Sequence, residues 1–335
     1  MTSYGERGID MSVKTELLSI LEADRERDLS GEEIAGRLGV SRTSVWKAVK
    51  ALREEGYQIA AVNNRGYRLQ DTTDILSVEG IRVELEPPLR TLPIEVHKCV
   101  DSTNDELKRR ALDGGGHGLV LLAEQQTSGK GRLGRQFYSP AGTGIYMSIL
   151  LKPQLGGSDA VLITTAASVA VCLGIRNVLG LELQIKWVND VYLGDKKICG
   201  ILTEAISDCE IGRVDSVIVG IGINYRTEDF PEELKLRAGC IGMGNTVPRN
   251  RIVAAVLSEF FRIYENLTER EFLEEYRRRS NVIGKEIRFL EQGSWREARA
   301  VDIDGDGGLV VEYTEESGGR VRRTLHTGEI SVRVQ

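Results

Sequence analysis

Apolar residues recur at helical spacing from Val13 to Leu21, and again at Ile34, Ala35 and Leu38 after Ser30-Gly31-Glu32-Glu33. A Ser followed three residues later by Glu is a capping box, which satisfies free N–H groups at a helix start, so a short second helix is predicted. Gly39-Val40 breaks it, and Ser41 can cap a third helix over 42–54. There Val45, Val49 and Leu52 form an inward stripe with Trp46 beside it, while Arg42, Thr43, Ser44, Lys47 and Lys50 lie on or near the other face. Strand-like segments 57–62 and 66–70 then flank Asn63-Asn64-Arg65, a hairpin with turn residues at its tip. Helix, tight glycine turn, helix and hairpin predict a winged helix-turn-helix, a module whose second helix enters a DNA major groove. A helix-hairpin unit kept only for packing or dimerisation is the alternative. Residues 71–90, with Asp71-Thr72-Thr73-Asp74 and Pro87-Pro88, read as a linker.

Beyond it, short apolar runs alternate with helical patterns. Ile94–Val96, Leu119–Ala123 and Ile145–Leu151 are strand candidates, and Asp101-Ser102-Thr103-Asn104-Asp105-Glu106 opens a helix reaching Leu112. Hydroxyls and an amide at a helix start suit a polar ligand, although they are also ordinary capping chemistry. A long apolar helix is predicted over 158–179, with Thr164, Thr165 and Ser168 arguing against a lipid-exposed span. Strands over 185–193 and 196–204 flank Gly194-Asp195, followed by a strand over Val217–Tyr225 and helices over 249–267 and 269–279. From Gly284, five short strands with Gly/Asp turns (285–290, 295–303, 309–312, 321–325 and 329–334) predict a small closed barrel. Asp302–Gly308 resembles a calcium loop but lacks the twelfth-position Glu, so it reads as a solvated turn. The expected fold is α+β and multidomain.

Composition narrows the chemistry. A length of 335 residues suits two or three domains, and a net charge of -6 means that DNA binding requires a local patch. The span 42–68 supplies one: six Lys/Arg against Glu54 and Glu55, a local +4. The five cysteines are scattered and odd in number, so they cannot form a complete framework of intrachain pairs, and Cys99, Cys172 and Cys199 read as small buried hydrophobes in a reducing compartment. CxxC and HExxH are absent, and His97, His117 and His326 lie far apart, which argues against a structural metal site and a Ser/His/Asp triad. No run approaches 18 uninterrupted apolar residues and no basic-then-apolar leader opens the chain, so a soluble, cytoplasmic protein without a membrane partner is expected.

The densest chemistry lies in Gln126-Thr127-Ser128-Gly129-Lys130-Gly131-Arg132-Leu133-Gly134-Arg135. Glycines let backbone approach a ligand without a Cβ, and Lys130, Arg132 and Arg135 can neutralise phosphate or carboxylate. Gly129 to Gly134 reads G-x-G-x-x-G, yet the turn-like stretch 136–142 follows instead of the helix of a dinucleotide fold. A solvated glycine-rich hairpin is the alternative. Downstream, Lys186, Asn189, Asp190 and Lys197 stand among apolar residues, where charge must be paired or meet a ligand. Cations, one or two acids and amides suit the positioning of phosphates, with Mg²⁺ bridged to a carboxylate.

This order of parts resembles the bifunctional biotin protein ligases, which combine a ligase acting on a biotin carboxyl carrier with a biotin operon repressor. The resemblance covers residues 13–335 and rests on Asp101-Ser102-Thr103-Asn104, Gly129–Arg135, Lys186-Trp187-Val188-Asn189-Asp190, Lys197-Ile198-Cys199-Gly200-Ile201-Leu202, Gly220-Ile221-Gly222-Ile223-Asn224 and Gly328-Glu329-Ile330-Ser331. It implies a winged helix over 11–74, a central mixed α/β ligase domain over 75–281 and an SH3-like barrel over 282–335. The implied reaction joins biotin to ATP as biotinyl-5′-AMP and then transfers biotin to a lysine of a biotin carboxyl carrier protein domain. Biotin would meet Ser102, Thr103, Asn104, Gln126, Lys130, Gly131, Arg132 and Lys197, and the nucleotide Arg132, Arg135, Lys186, Asn189 and Asn224. Lys197, Arg132 and Asp190 would carry the chemistry, Asp190 also placing Mg²⁺. Arg42, Thr43, Ser44, Lys47, Lys50 and Arg65 would face operator DNA in a ligand-promoted homodimer, with biotin as corepressor through its adenylate. The chain departs from the family pattern at Lys130, where the family has Arg, and at Val188, where it commonly has Pro. A ligand-sensing repressor without turnover and a lipoate-type ligase are the competing functions.

Overall fold

The computed structural model describes residues 4–62, 65–153, 159–208, 213–291, 293–315, 318–326 and 330–332. The hairpin tip Asn63-Asn64, Cys209 and Gly328-Glu329 lie outside the described residues. Two compact units divide the chain: Met1–Thr91 with Gly244–Ala255, and Leu92–Met243 with Val256–Gln335.

The first unit contains α1 (Tyr4–Ala23), α2 (Gly31–Leu38), α3 (Arg42–Glu54), β1 (Ile59–Val62), β2 (Gly66–Leu69) and α4 (Val78–Glu84). Ser30 Oγ accepts from Glu33 N at 3.0 Å and Ser41 Oγ from Ser44 N at 3.1 Å, so both helix starts are capped as their sequences predict. Gly39 ends α2 at φ 65°, in the left-handed conformation that favours glycine. Leu17, Leu21, Ile34, Val45, Val49, Leu52 and Leu69 are buried in one core. The β1–β2 hairpin pairs from Ile59↔Leu69 to Val62↔Gly66. Gly66 has to be glycine: its φ is 113° and a Cβ would come within 2.0 Å of the Leu29 carbonyl.

The linker expected over 71–90 is instead structured. Ser77 Oγ caps α4 by accepting from Gly80 N, Ile81 and Leu85 are buried, and a 3₁₀ turn spans Pro87–Thr91. Its partners come from far along the chain: Asn250 Oδ1 accepts from Ser77 N at 3.1 Å, and buried Arg249 pairs with Asp74 at 3.3 Å. That return of the chain has no local sequence signal.

The second unit carries β3 (Ile94–His97), α5 (Thr103–Leu112), β4 (Leu119–Ala123), β5 (Gly144–Leu151), α6 (Asp159–Leu179), β6 (Gln184–Lys186), β7 (Asp190–Leu193), β8 (Lys196–Asp208), β9 (Arg213–Asn224) and α7 (Glu232–Lys235). After α8 (Arg249–Glu265) come α9 (Phe272–Arg279) and β10 (Glu286–Glu291), β11 (Ser294–Ile303), β12 (Leu309–Thr314), β13 (Arg320–Leu325) and β14 (Ile330–Val332). A seven-stranded mixed sheet runs in the order β3-β4-β5-β9-β8-β7-β6, parallel only between β3 and β4. Asn104 of α5 reaches the face of β8 that carries Leu202 and Glu204, whereas Thr164 of α6 meets Thr203 at 2.7 Å. Because strand side chains alternate, the two helices cover opposite faces. By length and mean hydropathy (1.7), Val161–Leu179 of α6 could cross a membrane, but 78% of it is buried within the protein as a core helix.

The strand expected over 185–193 is broken. Lys186 pairs with Asp190 across a turn at Trp187-Val188-Asn189, whose Trp187–Val188 peptide is cis. Trp187 Nε1 donates to Gly307 O at 3.0 Å and Tyr276 Oη to Val188 O at 3.2 Å, so tertiary bonds replace the ladder the apolar pattern suggested. The last five strands form an antiparallel sheet in the order β13-β12-β11-β10-β14. Closure is not seen among the described residues, because β13 and β14 stand at opposite ends of that order. In the calcium-like loop Asp304 Oδ1 accepts from Asp306 N and Gly308 N, as in a turn. Cys172 and Cys199 are buried, burial pushing Cys172 up to about 12 and Cys199 upward, but Cys99 is exposed, contrary to its reading as a buried hydrophobe.

Arg279 of α9 is the buried cation that anchors this unit. Its Nη1 donates to Leu183 O at 2.9 Å and its Nε to Glu275 Oε1 at 2.7 Å. Hydrogen bonds from Arg278 and Arg279 hold the Glu275 carboxyl at about 2. Arg279→Ala is expected to cost about 3–5 kcal/mol, read as a fall in the urea midpoint, because it strands acceptors in the interior. A depressed carboxyl stabilises fully above its ordinary value of 4.5, and that contribution is lost as pH falls towards 2. Melting temperatures between pH 6 and pH 3 should therefore fall less steeply for Glu275→Gln than for the wild type.

Candidate active site

Three glycines on neighbouring strands set the floor of the site. Register places Ser148 beside Gly220 and Leu202, and Tyr146 beside Gly222 and Gly200. Without their Cβ atoms the sheet surface stays low, and a cavity of about 650 Å³ opens above it. A Cβ on Gly222 would fall 2.6 Å from the Phe137 ring, and one on Gly220 would fall 2.1 Å from Asn104 Oδ1.

One side of the cavity is neutral and polar. Ser102, Thr103 and Asn104, at the start of α5, are all buried. Thr103 donates to Gln126 Oε1 from its N at 2.8 Å and its Oγ1 at 3.1 Å, and Gln126 Nε2 donates to Ser139 Oγ at 2.9 Å. The hydrogen bond from Arg109, with one from Ser102 N, holds the Asp101 carboxyl at about 2 and fixes the turn before the helix.

The other side is charged. The glycine loop folds on itself, with Lys130 bridged to Gln136 and Gly131 N donating to Arg135 O at 2.7 Å. Leu133 and Gly134 lie at φ 57° and 73°, which sends the loop through a tight left-handed turn. Arg132 Nη1 donates to Asn189 Oδ1 at 3.0 Å, and Asn189 Nδ2 in turn to Ile201 O at 2.8 Å. Lys197 Nζ lies 2.6 Å from Asp190 Oδ1. Lys130 pairs with Asp105 at 2.7 Å, and that hydrogen bond pushes the ammonium's pKa upward.

Ser102, Thr103, Asn104, Gln126, Lys130, Gly131, Arg132, Arg135, Lys186, Asn189, Asp190 and Lys197 all line this one cavity. Asn224 does not; it is buried at the end of β9, paired with Gly144. Sequence reasoning passed over Phe137, Tyr192 and Arg237, which also line it. Burial raises the Tyr192 phenol to about 12, so it faces the cavity as a neutral donor. Arg237 arrives from a segment hydrogen-bonded to the Lys197 backbone, Lys197 N donating to Arg237 O at 2.8 Å and Gly239 N to Lys197 O at 3.0 Å. No periodic pattern marks that pairing; an Arg beside short polar turns was the only signal. Among the described residues no group of three or more His, Cys, Asp or Glu gathers to hold a metal.

In the first unit Arg42, Thr43, Lys47 and Lys50 of α3 and Arg65 of the hairpin are exposed, and Ser44 is half-buried. Arg42, Thr43, Trp46 and Arg65 line one groove between helix and hairpin. Trp46, expected beside the inward stripe, is 55% exposed, with Lys50 Nζ 5.9 Å from its ring. Two cations of the +4 span serve the fold instead: Arg53 donates to Ile59 O, and Arg68 pairs with Asp28.

A helix-turn-helix with a β-hairpin, together with an α/β unit whose cavity joins a neutral polar wall to a cationic one, defines a nucleic-acid-binding module in the same chain as an anion-handling ligase fold. The patterns of the Biotin/lipoate A/B protein ligase family, of an HTH domain and of the Biotin protein ligase C terminal domain match residues 96–224, 14–68 and 282–333. The Bifunctional ligase/repressor BirA of Bacillus subtilis is 33% identical over 314 residues, 91% of this chain and 95% of that protein; its Escherichia coli counterpart is 28% identical, over 91% and 92%. The biotin protein ligase of Aquifex aeolicus, solved in complex with biotin and ATP, superposes with a TM-score of 0.61 at 29% identity, covering 72% of this chain and 99% of that one. The chain belongs to the biotin protein ligase family, in its bifunctional ligase/repressor branch.

Gly220→Ala should cost about 1–3 kcal/mol, because the new methyl meets an Asn104 that its own hydrogen bonds prevent from moving aside. Thermal melting checks it; an unchanged melting temperature would mean that Asn104 is free to shift.

Proposed function

We propose that this protein is an ATP-dependent biotin protein ligase that also acts as a biotin-responsive transcriptional repressor. The observation that carries the reading is the convergence of the Thr103–Asn104–Gln126 wall and the Arg132–Asn189 and Lys197–Asp190 pairs on one glycine-floored cavity. Attack of the biotin carboxylate on the α-phosphorus of ATP brings two anions together, and preorganised cations at the junction lower that barrier. Lys197 and Arg132 take this role as the new acyl–phosphate bond forms and the bond to pyrophosphate breaks. Lys130 and Gly131 flank biotin with Ser102, Thr103, Asn104 and Gln126, while Arg135, Lys186 and Asn189 serve the nucleotide. Mg²⁺ is commonly held by one or two carboxylates with phosphate oxygens and water completing its shell, and Asp190 is the carboxylate among the described lining residues.

In the second half-reaction the uncharged amine of a carrier-domain lysine attacks the acyl carbon and AMP leaves. The glycine loop limits water access to the acyl-adenylate. The protein works in the cytoplasm, without a membrane partner. Its C-terminal sheet closes as an SH3-like barrel, a reading supported by the bulge between Ala300 and Asp302, which increases twist. Adenylate-bound protein dimerises, and two winged helices then read a palindromic operator through Arg42, Thr43, Ser44, Lys47, Lys50 and Arg65.

Biotin-dependent exchange of labelled pyrophosphate into ATP tests the ligase. Lys197→Ala should lower it by about 10²–10³, the scale of losing one charge-stabilising group; exchange with lipoate in place of biotin would reassign the substrate. Arg42→Ala combined with Lys47→Ala should weaken operator binding and reduce its salt slope by about two, with exchange unaltered. Undiminished operator binding would refute the assigned DNA face.

A further inference from the structure

We infer that Glu204 is a positioning residue that fixes the orientation of the Asn104 amide, and thereby selects a ligand ring bearing N–H donors, such as a cyclic urea, over a ring lacking them. The inference rests on the cavity being a biotin site. Asn104 Nδ2 lies 2.8 Å from Glu204 Oε2 and 3.2 Å from Leu202 O. Both are acceptors, since Glu204 is itself paired with Lys108 at 2.7 Å, so both amide protons of Asn104 are spent behind the cavity wall. Oδ1 must then face the other way, where Ser148 Oγ donates to it at 2.6 Å and Gly220 leaves room for it. A flipped amide would set its oxygen against two acceptors and forfeit two hydrogen bonds.

In this orientation the remaining valence that Asn104 offers is a lone pair on Oδ1. Oδ1 already accepts from Ser148, and its second lone pair matches a ligand N–H; a site built around such a bond rejects an analogue that cannot make it. The ureido ring of biotin carries two N–H groups; the dithiolane of lipoate carries none. Lys108 stands one turn after Asn104 on α5, so the helix grips Glu204 at both carboxylate oxygens, Oε1 through Lys108 and Oε2 through Asn104. Glu204 therefore never touches the ligand and acts through Asn104.

The test is a double-mutant cycle in the full-length protein, with pyrophosphate exchange measured against biotin concentration for wild type, Glu204→Ala, Asn104→Ala and the pair. Glu204→Ala should raise the KM for biotin about tenfold, change kcat by no more than about threefold and leave the KM for ATP unaltered. In the Asn104→Ala background the same substitution should have no further effect on the biotin KM. Glu204→Gln, which can still accept from Asn104 through its amide oxygen, should recover most of the wild-type KM. Additive losses in the cycle, or an equal rise in the KM for ATP, would overturn the inference while leaving the ligase intact. A wild type silent with biotin would overturn the ligase reading and this inference together.

Discussion

The absence of side chains at Gly200, Gly220 and Gly222 is the constraint on which the rest of the ligase unit depends. Glycine inside a strand forgoes packing and costs more chain entropy than any other residue. Here three of them sit side by side in the central strands of a sheet whose opposite face is filled by α6. The long ladder between β8 and β9 and the burial of Ile201, Val219, Ile221 and Ile223 offset the loss. What results is a flat patch of backbone onto which Phe137, Asn104 and the Lys197 side chain all fold. A Cβ at Gly220 would press Asn104, whereas one at Gly222 or Gly200 would press the Phe137 ring, the latter Lys197 as well.

Much of this was legible in the chain, and the parts that were not share a cause. Ser30 and Ser41 announced their helices because capping is a local interaction, and the inward stripe of α3 was visible because its period is. The charged Lys186, Asp190 and Lys197 and the amide of Asn189 stood out from apolar surroundings because a buried polar or charged group requires a partner. Their partners could not be read. That Arg132 reaches Asn189 57 positions away, or that Arg249 closes on Asp74 across 175, follows from topology and not from any pattern in a window. The same holds for the turn at Trp187-Val188-Asn189, where distant acceptors and donors overruled a strand-like run.

The winged helix shows how a net count of charge can overstate a binding surface. Six cations lie in 42–68, yet Arg53 is spent on the Ile59 carbonyl and Arg68 faces Asp28. The exposed remainder, Arg42, Lys47, Lys50 and Arg65, comprises three positions on α3 and one on the hairpin. Trp46 lies between them because the groove, not the core, takes its ring. Aromatic surface beside cations suits contact with sugar and base edges better than packing within the module, whose core is already closed by Val45, Val49 and Leu52.

An acidic residue in a cavity meant for a polyanion needs explanation, and Asp190 has one. Its carboxylate lies 2.6 Å from Lys197 Nζ, which keeps a half-exposed cation from standing unpaired beside apolar strands. A phosphate oxygen is the same kind of partner for an ammonium as a carboxylate oxygen, so a lysine held by one is not electrostatically opposed to the other. On the same charged side the Lys130–Asp105 pair fastens the glycine loop to α5, so both lysines of this side are neutralised by a carboxylate from another element of the fold.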